Sequence, residues 1–373
     1  MSFAPMSMAV ALAHRAIALS DPNPRVGCVI TAPDGQVLGQ GHTQQAGGPH
    51  AEVMALRDAQ ARGLSVKGAT AWVTLEPCAH HGRTPPCADA LVREGLARVV
   101  VALHDPNPLV AGQGTARLRA AGIEVVELPP DAPEAVAARE LNIGFLSRMV
   151  RKRPWVRVKM AASLDGRTAL PDGRSQWITQ EAARLDGHDW RARATAVLTG
   201  IGTVLADDPR LDVRSREVPR QPLRVVMDRQ WRTPLHAAVL REPERALVIG
   251  LQADALAEPE AHARHTALAA AGVPTLALPA LTWPDVLAAL AERGVNELHV
   301  EAGATLTGSL IASGLADEWL VYLAPKLLGA GRGFADLPAL AALDQAPTMA
   351  WHSVALVGAD LRLLARCPGA ADF

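Results

Sequence analysis

Residues 46–56 read AGGPHAEVMAL and residues 73–87 read VTLEPCAHHGRTPPC. Within them His50, Cys78 and Cys87 supply one imidazole and two thiols, the donor types zinc prefers, and leave a fourth tetrahedral position open for water. A water held there ionises near neutral pH and becomes a nucleophile. Glu52 follows His50 by two residues. If His50–Ala61 is a helix, as the shared face of Val53, Met54, Leu56 and Ala61 predicts, both side chains leave its first turn toward one cleft. Ala69–Leu75 reads as a strand running into Pro77-Cys78. A helix over Pro86–Glu94 tolerates proline in its first turn and places Cys87 where the helix dipole favours a thiolate.

The elements on either side extend the alternation. Val26–Thr31 and Gln36–Gly41 are short strands joined by the turn Pro33-Asp34-Gly35. Downstream come a strand at Val99–Leu103, a helix at Thr115–Ala121 and a strand at Ile123–Leu128. Such alternation predicts an α/β unit with a mainly parallel, helix-flanked sheet. Pro129-Pro130-Asp131 interrupts it, a helix then runs to Val150, and Arg151-Lys152-Arg153-Pro154 reads as a solvated linker. The expected domains are 1–148 and 153–367.

A His-x-Glu pair combined with Pro-Cys is the constellation of zinc-dependent deamination, with the glutamate as acid and base rather than ligand. A closed structural zinc site is the competing reading, with His80, His81 or Cys28 as fourth ligand; it leaves Glu52 unexplained. Nucleic-acid deaminases place two residues between the cysteines, whereas eight stand here, Ala79 to Pro86. His80, His81 and Arg83 in that insert read either as a solvated loop or as recognition of a polar, phosphorylated substrate. The tetrapeptide Asp-Pro-Asn-Pro occurs at 21–24 and again at 105–108, a turn-forming sequence in its own right.

From Trp155 a second alternating series begins. Its strands are expected at Val156–Met160, Ala196–Thr199, Leu223–Met227, Ala246–Ile249 and Leu298–Glu301. Helices are expected at Gln180–Arg193, Glu258–Ala271, Pro284–Arg293 and Leu306–Ser313. Trp319–Leu323 follows as a strand, and Met349–Val357 with Leu361–Ala365 reads as an antiparallel hairpin turning at Gly358-Ala359-Asp360. A full Gly-x-Gly-x-x-Gly is absent, and Gly200-Ile201-Gly202-Thr203 is a weak substitute. The run from Val300 to Ser309 leaves a strand, crosses small residues and enters a helix whose free amides can hold a pyrophosphate. Lysine occurs only at 67, 152, 159 and 326; Lys159 is read as ending the first strand, at a site needing a compact charge.

Bulk properties narrow the class. The 373 residues carry a net charge of −1 and are 49% hydrophobic but only 3% aromatic, so two aliphatic cores are expected. No basic excess marks a nucleic-acid binder, and no apolar run reaches the ~18 residues of a membrane span. The first twenty residues read as an opening amphipathic helix rather than a leader. Four cysteines, at 28, 78, 87 and 367, are too few for a disulfide framework, which suits a reduced, cytoplasmic protein.

The chain resembles the bifunctional deaminase-reductase family of riboflavin biosynthesis along nearly its whole length. DPNPRVGCVI, AGGPHAEVMAL, VTLEPCAHHGRTPPC and DPNPLVAG carry the likeness in the first half. KMAASLDGRTAL, SQWIT, LTGIGTVLADDPRL, VEAGATLTGSLI and YLAPKLLG carry it in the second. The long cysteine spacing is itself a trait of that family; Ala79 stands where it usually has Ser, and Ala302 where it usually has Gly. The resemblance implies a cytidine-deaminase-like domain followed by a dihydrofolate-reductase-like domain. It implies zinc-dependent deamination of a diaminopyrimidinone bearing a ribosylamino 5′-phosphate, then NADPH-dependent reduction of the ribosyl chain, and a homo-oligomer. It places Asn23 and His42 in the deaminase pocket. It places NADP contacts at Ala161, Trp177, Thr203 and Asp207 and along Gly303, Ala304, Thr305, Leu306, Thr307, Gly308 and Ser309. Substrate contacts fall at Ser175, Arg191, Leu211, Arg214 and Glu301, to which Lys159 and Asp165 are added; Arg191 and Arg214 suit a ribose phosphate. The alternative is a zinc-dependent nucleic-acid base deaminase with an accessory nucleotide-binding domain.

Overall fold

The computed structural model describes residues 4–79, 85–107, 111–252 and 259–373. The chain divides into two compact units at Lys152/Arg153.

The first unit opens with α1 (Ala4–Ala13), followed by the hairpin β1 (Gly27–Thr31) and β2 (Val37–His42). Next come α2 (Ala51–Ala61), β3 (Thr70–Val73), α3 (Cys87–Arg93), β4 (Arg98–Val101), α4 (Gln113–Ala120), β5 (Glu124–Glu127) and α5 (Pro133–Arg151). Its sheet runs β2-β1-β3-β4-β5. Only β3–β4 and β4–β5 pair in parallel; β1 lies antiparallel to both β2 and β3. Half the pairings are thus antiparallel, not the mainly parallel sheet expected, because a tight hairpin forces β2 back along β1.

The aliphatic core is as the composition requires: Cys28, Ile30, Ala55, Ala71, Val73, Leu91 and Val99 are buried together. Two glycines set the site helix close to the sheet. A Cβ on Gly39 would lie 2.1 Å from the Ala55 carbonyl oxygen, and one on Gly41 2.5 Å from Met54 Cβ. Only residues without a side chain let β2 approach α2 this closely, and α2 is the helix that begins after His50.

The second unit contains β6 (Trp155–Ser163), α6 (Glu181–Arg193), β7 (Ala196–Gly200), α7 (Ile201–Asp207), β8 (Leu223–Met227), β9 (Ala246–Leu251), α8 (Pro259–Ala270), β10 (Thr275–Leu278), α9 (Trp283–Glu292), β11 (Glu297–Val300), α10 (Ala304–Ala312), β12 (Glu318–Ala324), β13 (Ala350–Val357) and β14 (Asp360–Arg366). Its nine strands order as β10-β9-β8-β7-β11-β6-β12-β14-β13. All pairings are parallel as far as β12; β14 and β13 close the edge as the antiparallel hairpin read from sequence.

Several expectations need correction. Lys159 does not end β6 but sits midway along it, since pairing with β12 continues to Ser163. The short elements α7 and β10 were not anticipated, because neither is long enough to show a period. Arg151 closes α5, and Arg153 grips Asp317 with two guanidinium nitrogens, each 2.7 Å from a carboxylate oxygen. The basic run is therefore divided between structured elements and is not a solvated linker.

The unit also buries a set of charges. Arg157, 1% exposed, bonds Glu318 at 2.5 Å and Glu297 at 3.0 Å, and its guanidinium lies over the Trp190 ring at 4.4 Å. Arg193 and Arg366 complete the pairing of the two carboxylates. With every charge hydrogen-bonded, the desolvation penalty is offset, but removing one partner would leave another buried and unpaired.

Candidate active sites

In the first unit His50 is the residue preceding α2, extended at φ −77°, and Cys87 is the first residue of α3. Cys78 follows β3. These three meet: His50 Nδ1 lies 3.7 Å from Cys78 Sγ and 3.4 Å from Cys87 Sγ. Nitrogen and sulfur ligands on one tetrahedral zinc stand about 3.5 Å apart, given bond lengths near 2.0 and 2.3 Å. The donor set therefore fits zinc in both chemistry and spacing. Among the described residues the cluster has three members. Cys28, offered by sequence as a fourth ligand, is instead buried in the core, and burial holds its thiol well above the usual range. His80, His81 and Arg83 lie outside the described residues.

Without metal, Cys78 is the thiolate of the pair. A hydrogen bond from Cys87 is the main cause, aided by His50 and by the Cys87 amide 3.4 Å away, and its pKa falls to about 4. Cys87 is raised by the same contact with Cys78 and by burial. Glu52 is 3% exposed. Burial pushes its carboxyl up to about 7; His50 opposes this and the Cys78 charge reinforces it.

Glu52, His50 and Cys78 line a cleft of 490 Å³, within the range of small-molecule sites. Asn23 lines it as expected. His42 does not; it ends β2 opposite Gly27. Sequence reasoning missed other parts of the wall, among them Glu76, Asp105 and Asn107, together with Phe145, Arg148 and Met149 from α5. Glu76 fixes the loops. Its fully buried carboxylate accepts from the amides of Asp105 (3.3 Å), Gly112 (3.0 Å) and Thr115 (3.1 Å). Gly114 packs so tightly that a Cβ would lie 1.8 Å from the Pro77 oxygen. Asp105, the first residue of the second Asp-Pro-Asn-Pro, is thus tied to Glu76 beside the Cys78 loop; the repetition of the tetrapeptide was the available signal.

In the second unit, adjacent parallel strands β7 and β11 each deliver their carboxyl end to a helix start. Gly303 precedes α10 with no side-chain cap, and a Cβ there would touch only Thr203 Oγ1, at 3.8 Å. Thr203 and Asp207 are four apart on α7 and share a face. The amides at the start of α10 therefore open beside Thr203. The later residues of the run do not join them. A Cβ on Gly308 would meet the Asp336 oxygen at 2.1 Å. Thr307 is buried and bonds the Ala302 oxygen, Thr305 bonds Asp336, and Ser309 bonds both the Leu306 oxygen and Trp283. Leu306 packs on the core. These contacts leave Gly303, Ala304 and the backbone of Thr305 as the open part of the run.

Glu301 directly follows β11. Arg191 grips it through Nε and Nη2 at 2.5 and 2.9 Å, and Lys159 Nζ lies 3.7 Å away. Burial would raise this carboxyl, but Arg191 and Lys159 outweigh it and hold it well below the ordinary range. The third nitrogen of Arg191 bonds the Asp212 oxygen. These bonds orient Arg191 against Glu301 and leave one N–H on each of its two terminal nitrogens. Arg214 pairs with Asp212 at 3.1 Å and is half exposed. Leu211 has φ 53° and a side chain buried in the core, so only its backbone can face a ligand. Asp165 is drawn to about 2 by Ser163 and by the amides of Leu328 and Gly329, and thereby ties the turn after β6 to that loop. Ser175 is partly exposed, Ala161 faces Tyr322 across the β6–β12 pair, and Trp177 is 61% exposed beneath the Arg184 guanidinium.

Comparison with known proteins matches both units. The cytidine and deoxycytidylate deaminase zinc-binding region covers residues 3–103, and the RibD C-terminal domain covers residues 154–361. The riboflavin biosynthesis protein RibD of Escherichia coli K12 is 45% identical, over 96% of this chain and 97% of that one. The chain belongs to the RibD family. Its members from Haemophilus influenzae and Aquifex aeolicus are 42% and 40% identical, each over at least 95% of both chains. Among solved structures, Acinetobacter baumannii RibD superposes with a TM-score of 0.87 at 43% identity, covering 97% of each chain. A diaminohydroxyphosphoribosylaminopyrimidine deaminase/5-amino-6-(5-phosphoribosylamino)uracil reductase from Thermotoga maritima gives 0.85 at 33% identity, with the same coverage. The family is bifunctional, a deaminase joined to a reductase in riboflavin biosynthesis, with a zinc-binding deaminase domain. Among the described residues no helix is long and apolar enough to cross a membrane.

The buried carboxyl of Glu52 carries a stability consequence. Its pKa is raised from 4.5 to about 7 in the fold. Below pH 4.5 it is protonated folded or unfolded and costs nothing; between 4.5 and about 7 the unfolded chain ionises first and stability falls; above 7 the loss is constant. In zinc-free protein, Glu52→Gln should therefore raise stability at pH 8 by roughly 3 kcal/mol and change it little at pH 4. Denaturant melts of the zinc-free pair at both pH values check this; equal midpoints at pH 8 would refute it.

Proposed function

We propose that this chain deaminates 2,5-diamino-6-(5-phosphoribosylamino)pyrimidin-4-one in its first unit and reduces the ribosyl chain of the product to ribityl phosphate in its second. The observation that carries the first reaction is the three-ligand cluster with its zinc-like spacings and Glu52 buried beside it. When bound, zinc supplies a water nucleophile at neutral pH and NADPH supplies a hydride.

Glu52 would carry two protons in turn, the first from the attacking water to the ring nitrogen and the second from the hydroxyl so formed to the departing ammonia. A carboxyl balanced near neutrality is suited to both directions. His50, Cys78 and Cys87 hold the metal, and Asn23 lines the cleft that receives the ring. In the reductase, Gly303, Ala304 and Thr305 offer backbone amides to the cofactor's phosphates, with Thr203 and Asp207 along the facing side of α7. Arg191 fixes Glu301 so that it and Lys159 present a carboxylate and an ammonium to the ribose chain. We read the substrate as a free phosphorylated pyrimidine, not nucleic acid, and the protein as cytoplasmic, on the even charge balance and the unpaired cysteines.

The deciding assay follows ammonia release and NADPH oxidation. Glu52→Gln keeps the side chain's size but cannot shuttle a proton, so ammonia release should fall at least ~100-fold. Given the deaminated compound, it should oxidise NADPH at a near-normal rate. Lys159→Ala should do the opposite. Failure of Glu52→Gln on the deaminated compound, in folded protein, would contradict two separable sites.

Gly303→Val tests the cofactor cradle. The space around Gly303 is open, so the variant should fold, yet its side chain would stand where phosphate must approach the amides. The KM for NADPH should rise about tenfold or more with ammonia release intact; an unchanged KM would move the cofactor elsewhere.

We read the protein as a homo-oligomer as well. The edge strand β13 exposes Trp351 (67%), Val354 (58%) and Leu356 (74%), an apolar edge that monomers usually protect. Light scattering should return a multiple of the chain mass, and the mass of a single chain at micromolar concentration would refute the reading.

A further inference from the structure

Of the chain's four lysines, Lys326 lies two residues beyond β12. The strand register sets it high above the sheet edge. Val300, the last residue of β11, is level with Val158, and Val158 with Trp319, so β6 and β12 run on five residues past the end of β11. At about 3.3 Å per residue this makes a wall roughly 16 Å tall beside the start of α10. Lys326 sits at its top, where Nζ donates to the Trp177 carbonyl oxygen at 3.1 Å.

Trp177 stands in the segment after β6, and distant side chains fix the backbone there. Arg184 Nη1 donates to the Thr179 oxygen at 2.9 Å, and the Gln180 amide donates to Asp360 at 2.6 Å. The Arg184 guanidinium also lies 4.6 Å from the centre of the Trp177 ring, yet the residue remains 61% exposed. An indole with a cation on one face and water over most of the rest is a platform on which a planar heterocycle can stack.

Lys326 is joined to the start of the same segment as well. Its carbonyl accepts from Leu164 at 2.8 Å, and the Leu328 and Gly329 amides donate to Asp165. Further on, the Asp336 amide donates to the Ala304 oxygen at 3.0 Å, and the Asp336 carboxylate accepts from Thr305. The chain from 326 to 336 thus descends from the top of the wall to the first turn of α10. It ties Trp177 to the helix start assigned above to the cofactor's phosphates. NADPH carries a planar ring system on each side of its pyrophosphate, so a cofactor seated at Gly303 has a ring to send up the wall.

We propose that Lys326 is a positioning residue of the reductase, holding the Trp177 carbonyl so that the indole meets a ring of NADPH whose phosphates rest at the start of α10. This rests on the NADPH-dependent reading of the second unit. Lys326 acts through Trp177 and does not itself touch the cofactor.

The test is calorimetric titration of NADPH into full-length wild type, Lys326→Met, Trp177→Ala and the double variant, with reductase kinetics on the deaminated compound alongside. Lys326 is exposed, so methionine should leave the fold intact. Trp177→Ala should raise the Kd about tenfold, the scale of one stacked ring. Lys326→Met should raise it about threefold, the low end for a hydrogen bond that water can partly replace. The KM for NADPH should rise in step and kcat stay nearly unchanged, as when an interaction made equally in ground and transition states is lost. In the Trp177→Ala background Lys326→Met should add nothing, because the ring it positions is gone. An equal loss in that background would mean that Lys326 acts on the cofactor directly or through the fold at large, and overturns the proposal. An unchanged Kd in either single variant, with the wild type binding normally, overturns it too and leaves the reductase reading standing. A wild type that does not bind NADPH sinks the reading and the proposal together.

Discussion

Unpaired amide groups at the starts of helices are the constraint from which both sites grow. A helix leaves its first N–H groups without internal partners, and a strand that ends in the sheet interior must hand the chain to such a helix. His50 and Cys87 stand where α2 and α3 begin, and Gly303 where α10 begins. In the first unit the amide of Cys87 turns to the Cys78 sulfur; in the second the amides beside Gly303 have no capping side chain. The same geometric need thus yields a thiolate site in one unit and an open, uncapped helix start in the other.

How closely the helices can approach decides whether these positions converge. Gly39 and Gly41 let α2 settle on β2, and Gly114 lets α4 settle on the Cys78 loop. A methyl group at any of the three would meet backbone or a Cβ rather than a flexible side-chain end, so relief would require moving an element. His50 stands 28 and 37 residues from the two cysteines, which are nine apart, and it is this close packing, not chain connection, that brings the three within bonding range of one ion.

The meeting of His50, Cys78 and Cys87 beside Glu52 and the order of most elements were legible in the sequence, because each rests on local chemistry: a spacing, a period, a proline at a helix start. The sequence hid what depends on distant partners. Glu76 reaches Thr115 across 39 positions and Arg191 reaches Glu301 across 110, and no pattern in either neighbourhood announces the pairing. Arg191 reads as a phosphate ligand because an arginine in a motif has donors to offer; what the sequence hid is that three of its five N–H groups go to Glu301 and Asp212. Gly308 looked like part of a phosphate loop because it is small; the fold shows it is small to admit Asp336. Lys159 was placed at a strand end because the alternation stops at Met160, whereas hydrogen bonding to β12 carries the strand three residues further.

Glu76 has a consequence for how such an enzyme can diversify. By gathering three amides from the far side of the cleft, it fixes the Cys78 loop from behind, and Cys78 in turn holds the start of α3, accepting from the Cys87 amide at its sulfur and from the Ala88 amide at its carbonyl. A change at Glu76 would therefore be felt at both cysteines together, so one fully buried carboxylate behind the cleft limits which substitutions the hydrolytic site can accept.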